Sequence, residues 1–130
     1  MKLINKGLLS EMYACRYYIN KGYAIFLPVD HGGPVDVIVT KGTEVLRLQV
    51  KTVYEDSDKL RVNIHSKKGG PKYSTEDVDL LVCIRHNDTW LVPFKDVENE
   101  TTLVFGTVSG KPYRVRGPFR HEQYKVTGDA

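Results

Sequence analysis

Apolar positions along this 130-residue chain change their spacing several times, and each change marks an element. Over residues 4–21 they recur at Leu8, Met12, Cys15 and Ile19, in steps of four, three and four, which is the period of a helix. Lys21-Gly22 ends it, because glycine accepts the left-handed conformation that closes a helix. Tyr23 to Pro28 reads as a short apolar strand, and Val29 to Pro34 as a loop. Val35 to Thr40 is rich in β-branched residues, Lys41-Gly42 marks a turn, and Val45 to Tyr54 is a long second strand, so the two form a hairpin. A polar turn at residues 55–58 leads to a strand over Leu60 to Ile64 and a flexible basic stretch from His65 to Ser74. Val78 to Ile84 is apolar except at Asp79 and reads as a buried central strand. The turn His86-Asn87-Asp88, a strand Trp90 to Pro93, a helical turn Phe94 to Val97 and a last strand Thr101 to Phe105 follow. The tail after Gly106 has turn residues and no period. A helix, then strands, then short helical pieces predicts an α+β (α/β-like) domain on a mixed sheet.

Composition narrows the setting. At this length the chain forms one domain with one core. Its 41% hydrophobic and 27% charged residues are ordinary for a soluble protein. The longest apolar runs are four or five residues, too short for a membrane span. Met1 to Ile4 is followed at once by Asn5 and Lys6, too short an apolar run for a signal peptide. Cys15 and Cys83 match no metal spacing and read as reduced thiols of an intracellular, cytoplasmic protein. His65, His86 and His121 are scattered without ligand spacing, which argues against zinc. Charge is uneven. Lys111, Arg114, Arg116, Arg120 and Lys125 stand against Glu122 and Asp129, so residues 111–130 carry the whole net charge of +3. A localised basic segment is the footprint of a polyanionic partner, although a solvated tail has the same composition. The chain therefore divides into a core, residues 1–110, and a basic C-terminal tail, 111–130, within one domain.

The candidate chemistry lies in the hairpin. Asp36 sits among Val35, Val37, Ile38 and Val39, where a charge is costly unless it is paired or binds a metal. On the next strand Arg47, Gln49 and Lys51 share one face and Leu48 and Val50 the other. If the strands pair, Asp36, Gln49 and Lys51 converge. A carboxylate, a second oxygen donor and a lysine at one point can hold a divalent cation and promote attack on a phosphodiester. An edge aspartate paired with Lys51, beside a solvated polar face, fits the same pattern without catalysis. Glu11 lies mid-helix among small residues that allow close packing on the sheet. His31 is a possible accessory group, and more simply a turn cap.

These residues also follow a family order. Gly7-x-x-x-Glu11, then Gly22-Tyr23 and a strand, then Pro34-Val35-Asp36-Val37-Ile38-Val39, then Gln49-Val50-Lys51-Thr52 resembles the PD-(D/E)XK nuclease superfamily. The resemblance covers residues 7–93, including Tyr73, Asp77-Val78-Asp79 and Trp90 to Pro93. It implies a restriction-endonuclease-like fold, a mixed β-sheet core flanked by helices. It implies a Mg²⁺ (or Mn²⁺) ion held by Asp36, Gln49 and the Val50 carbonyl, with Lys51 orienting water or stabilising phosphate charge. Glu11 takes the place of an assisting helix acid. Gln49 departs from the usual Asp or Glu and is similar to the group I intron homing endonucleases of this superfamily.

The resemblance implies double-stranded DNA as partner and a homo-oligomer, dimer or tetramer, with no membrane. Lys67, Lys68 and Lys72 in the glycine-rich loop and Arg114, Arg116 and Arg120 in the tail are the candidate DNA contacts. A solvated loop, and a tail that is disordered or serves a dimer contact, are the plainer readings. Two other activities fit the same residues: a Holliday junction resolvase of the same superfamily, and a non-catalytic DNA-binding module on a decayed nuclease fold.

Overall fold

The computed structural model of the protein describes residues 6–30, 33–64 and 73–126. Helix α1 (Lys6–Asn20) is followed by β1 (Ala24–Phe26), β2 (Val37–Lys41) and β3 (Glu44–Thr52). Next come β4 (Tyr54–Asp56), β5 (Lys59–Asn63), β6 (Leu80–Arg85), β7 (Asp88–Pro93) and β8 (Thr102–Thr107). Short 3-10 turns occupy Phe94–Asp96 and His121–Tyr124. α1 closes as expected: Gly22 has φ 89°, and the Tyr23 N–H donates back to the Tyr18 carbonyl at 3.0 Å.

The strands form two sheets. The first is mixed, in the order β1-β2-β3-β6-β7, with β3 and β6 parallel and the other pairs antiparallel. The second is β4-β5-β8. Side-chain alternation assigns the faces. Val37, Val39, Leu48, Val82 and Ile84 pack with Ala14, Tyr17 and Tyr18 of α1. Leu81, Cys83, Trp90 and Val92 pack on the opposite side with Leu60, Val62, Leu103 and Phe105 of the second sheet. The layers are thus helix, five-stranded sheet, three-stranded sheet. This is the α+β architecture on a mixed sheet that the sequence predicts, with α1 on one face and, among the described residues, the three-stranded sheet on part of the other.

Two expectations change. The strand predicted over Val45 to Tyr54 divides at Val53, whose N–H bonds the Ile84 carbonyl at 2.9 Å while its side chain enters the second core. The chain leaves one sheet there and enters the other, and the turn expected over residues 55–58 narrows to Ser57 and Asp58, both at positive φ. The buried face of α1 is also not the predicted one. Ser10, Ala14, Tyr17 and Tyr18 face the sheet, whereas Leu8, Met12 and Ile19 are exposed. Small Ser10 and Ala14 let the helix axis approach the strands, and the Ser10 and Thr52 hydroxyls share a 2.7 Å hydrogen bond across the contact.

The tail lies on the domain. Phe119 is buried in the second core, stands 5.2 Å from Phe105 and stacks on Tyr124 at 5.4 Å, while Lys125 bridges to Trp90 of β7. Among the described residues no helix is long and apolar enough to cross a membrane.

Candidate active site

The pairing of β2 with β3 runs from Lys41↔Glu44 to Val37↔Leu48 and then stops. One step further, Asp36 stands opposite Gln49. Its N–H donates to the Leu48 carbonyl at 2.8 Å, and its Oδ2 accepts the Val50 N–H at 2.8 Å. The Asp36 side chain thus takes the place of the missing strand partner. The Val50 carbonyl, which points to the same edge as its N–H, borders that opening.

Asp36, Gln49 and Lys51 lie on the face away from α1. Over β6 and β7 this face is covered by the second sheet; over β1 and β2 it is open, with Phe26 and Val45 exposed. The three residues stand at that border, where a buried wall meets solvent. Gln49 is buried at 6% exposure, and among the described residues its Oε1 has no hydrogen-bond donor. Lys51 is half-buried beside Cys83, its register partner on β6.

The electrostatics follow from burial. Desolvation raises the Asp36 carboxyl above the ordinary aspartate value, opposed by the Val50 N–H and by Lys51. Burial lowers Lys51, opposed by Asp36 and Cys83. Burial pushes the Cys83 thiol up to about 12, so it stays a neutral neighbour.

A divalent cation fits this donor set. Asp36 offers a carboxylate, Gln49 an unmatched buried oxygen, and Val50 a carbonyl at the open strand edge. These are hard oxygen ligands of the kind Mg²⁺ takes. No group of three His, Cys, Asp or Glu side chains suited to a metal forms among the described residues, so a cation here relies on the amide and carbonyl oxygens as well.

The other predicted residues belong to other elements. Glu11 is half-buried on α1; burial, and after it the Glu11 charge, raises the pKa of Cys15 one turn later. His31, Lys67, Lys68 and Lys72 lie outside the described residues. Arg114 and Arg116 line a cavity of about 380 Å³ with Lys59, Arg61 and Tyr113 on the outer side of the second sheet. Arg120 instead donates to the Gly117 and Phe119 carbonyls at 2.8 and 3.0 Å and holds its own turn.

Sequence reasoning missed Lys59 and Arg61, although their alternation with buried Leu60 and Val62 marks an outward basic face. It also missed the clamp beside the site. Asp79 accepts from Arg47 Nε and Nη2, each at 3.0 Å, and from the Arg47 N–H at 2.8 Å. Arg47 donates further to the Thr75 carbonyl at 2.9 Å and to that of Glu76. This explains an aspartate at the mouth of an apolar strand: it locks β6 to β3 in the register that sets Cys83 beside Lys51.

Comparison with known proteins agrees with this geometry. The sequence profile of PD-(D/E)XK endonucleases matches residues 1–116. The chain belongs to the PD-(D/E)XK endonuclease family. Among solved structures, a bacterial homing endonuclease, I-Ssp6803I, superposes with a TM-score of 0.75 at 17% identity, covering 92% of this chain and 86% of that one. At that identity the likeness is one of fold. No curated protein sequence matches.

Proposed function

We propose that this PD-(D/E)XK family member is a Mg²⁺- or Mn²⁺-dependent DNA endonuclease that acts on double-stranded DNA as a homo-oligomer, dimer or tetramer. The observation that carries the reading is the convergence of Asp36, the unmatched Gln49 Oε1 and Lys51 at one open sheet edge. Fold likeness to a homing endonuclease across nearly the whole chain supports site-specific cutting.

Asp36, Gln49 and the Val50 carbonyl would hold the cation, which supplies positive charge against the scissile phosphate. Asp36 is the one carboxylate of this set, and such a site binds Mg²⁺ most firmly when a phosphate oxygen completes the shell. Metal and DNA would therefore bind cooperatively. Lys51 donates a hydrogen bond to the attacking water and to the charge developing on phosphate. Its half-buried position keeps that donor pre-aligned. Glu11 on α1 would assist through the metal or its water. Arg114 and Arg116 with Lys59 form a basic groove for the phosphodiester backbone, and Lys67, Lys68 and Lys72, outside the described residues, are further candidate contacts.

The test is cleavage in Mg²⁺ of a supercoiled plasmid, a synthetic four-way junction and a randomised duplex library. Selection of one duplex sequence supports the homing type. Preference for the junction, indifferent to sequence, replaces it with resolution. Binding of all three without cleavage rejects the nuclease assignment.

A further inference from the structure

The outward face of the second sheet carries a row of polar side chains that neither the core nor the candidate active site uses. On β5, Lys59, Arg61 and Asn63 alternate with buried Leu60 and Val62. Residues directly opposite one another share a face, so Tyr54 of β4 stands beside Arg61 and Thr102 of β8 beside Asn63. Two side chains of this row are held in place. The Asp56 carboxylate lies 3.1 Å from Arg61 Nε, a contact that leaves both Nη groups to meet another acceptor. Asn63 is exposed, and its Oδ1 accepts the Tyr54 and Thr102 hydroxyls, each at 3.2 Å. With its acceptor occupied, the Asn63 amide is left as a donor.

We infer, resting on the DNA endonuclease reading, that Arg61 and Asn63 read base edges in the major groove of the bound duplex: Arg61 a guanine, and Asn63 an acceptor edge two base pairs away. Alternate residues of a strand stand about 6.7 Å apart. Two base steps, at about 3.4 Å each, cover the same distance. The major groove admits paired strands. Guanine presents O6 and N7 there to the two Nη groups of an arginine. A bare NH2 donor fits guanine or thymine and meets an opposing donor on cytosine.

Charge separates this role from a backbone contact. Asp56 beside Arg61, and Glu100 in the same cavity, disfavour a phosphate there but not a neutral base edge. Lys59, Arg114 and Arg116 around that cavity are the cations for the backbone. Arg61 and Asn63 are already positioned by Asp56, Tyr54 and Thr102, so binding costs them little side-chain freedom. The open half of the first sheet and the outer face of the second both face away from α1, which lets one duplex touch the catalytic edge and these two side chains.

The test selects bound duplexes from a randomised library with the Lys51→Ala chain and sequences them. One position is expected to require guanine, and a second, two base pairs away, to reject cytosine, each by about tenfold to a hundredfold. Adding Arg61→Gln is expected to move the first preference from guanine to adenine, whose N6 and N7 suit an amide. Adding Asn63→Asp, which keeps both hydroxyl bonds, is expected to turn rejection of cytosine into preference for it, because a carboxylate accepts from the cytosine amine. Lys59→Ala is expected to weaken binding to all sequences alike and to lessen its salt dependence. A purely structural Arg61 or Asn63 would not exchange one base for another. Preferences that ignore both substitutions, or binding with no preference at any position, overturn the inference. Cleavage by wild type with such unmoved preferences counts against the inference alone. Preferences that shift as expected in a chain whose wild type never cleaves count against the nuclease reading alone.

Discussion

Replacing Gln49 with methionine separates the site's role from its cost. Gln49 is 6% exposed and its Oε1 lacks a donor among the described residues, which makes it an unmatched buried acceptor. Such an atom costs about 1–3 kcal/mol. Methionine keeps the length of the side chain and nearly its volume, and a swap of that kind loses under about 1.5 kcal/mol in packing. In EDTA, Gln49→Met is therefore expected to be more stable than wild type by about 1 kcal/mol, which raises the Tm of a domain this size by about 4 °C. With cation the order reverses. At ten times its Kd, Mg²⁺ stabilises wild type by about 1.4 kcal/mol. The variant, missing one of three donors, gains little and cleaves DNA poorly. Differential scanning calorimetry in EDTA and across a Mg²⁺ titration reads both effects. A variant that melts below wild type in EDTA, or keeps the full Mg²⁺ shift, refutes the assignment of Oε1 as a vacant cation ligand.

Lys51→Met is expected to leave stability at pH 7 equal or higher while cleavage falls about 10²–10³-fold. Burial lowers the folded-state pKa of Lys51 below the ordinary 10.5, so the unfolded chain binds more protons between the two values. The stability of wild type therefore rises with pH through that window, and denaturation at several pH values should show the slope removed in the variant. Asp79→Asn is expected to cost about 1 kcal/mol at pH 7 in denaturant titration, discounted because both ends of the Arg47 pair are partly exposed. Arg47 holds the Asp79 pKa below the ordinary 3.8, so its contribution is complete above that value and lost as pH falls through the folded one. The variant should have the shallower acid limb. Phe119→Ala removes the buried ring that fixes the tail and is expected to cost about 3 kcal/mol and to open residues 111–126 to limited proteolysis.

Much of the site was readable because strand alternation is a strict rule. Once Val35 to Thr40 and Val45 onward read as a hairpin, parity alone set Gln49 and Lys51 together and Asp36 opposite them. The helix face was not readable in the same way. Counting apolar residues favours Leu8, Met12, Cys15 and Ile19, but close packing on a sheet rewards small Ser10 and Ala14 and the large rings of Tyr17 and Tyr18. The second sheet was hidden because one apolar run spans two strands, and only the cross-sheet bond at Val53 marks the change. The tail has no period because it is anchored by single side chains, Phe119 and Tyr124, rather than by a repeating face.

The central claim is that Asp36 and Lys51 act with a cation on DNA. Nicking of supercoiled plasmid by wild type, Asp36→Ala and Lys51→Ala, each in Mg²⁺ and in EDTA, tests it most directly. The account predicts cleavage by wild type in Mg²⁺ alone, with both variants folded, able to bind DNA and inactive. Cleavage that persists in EDTA, or in either variant, would contradict it.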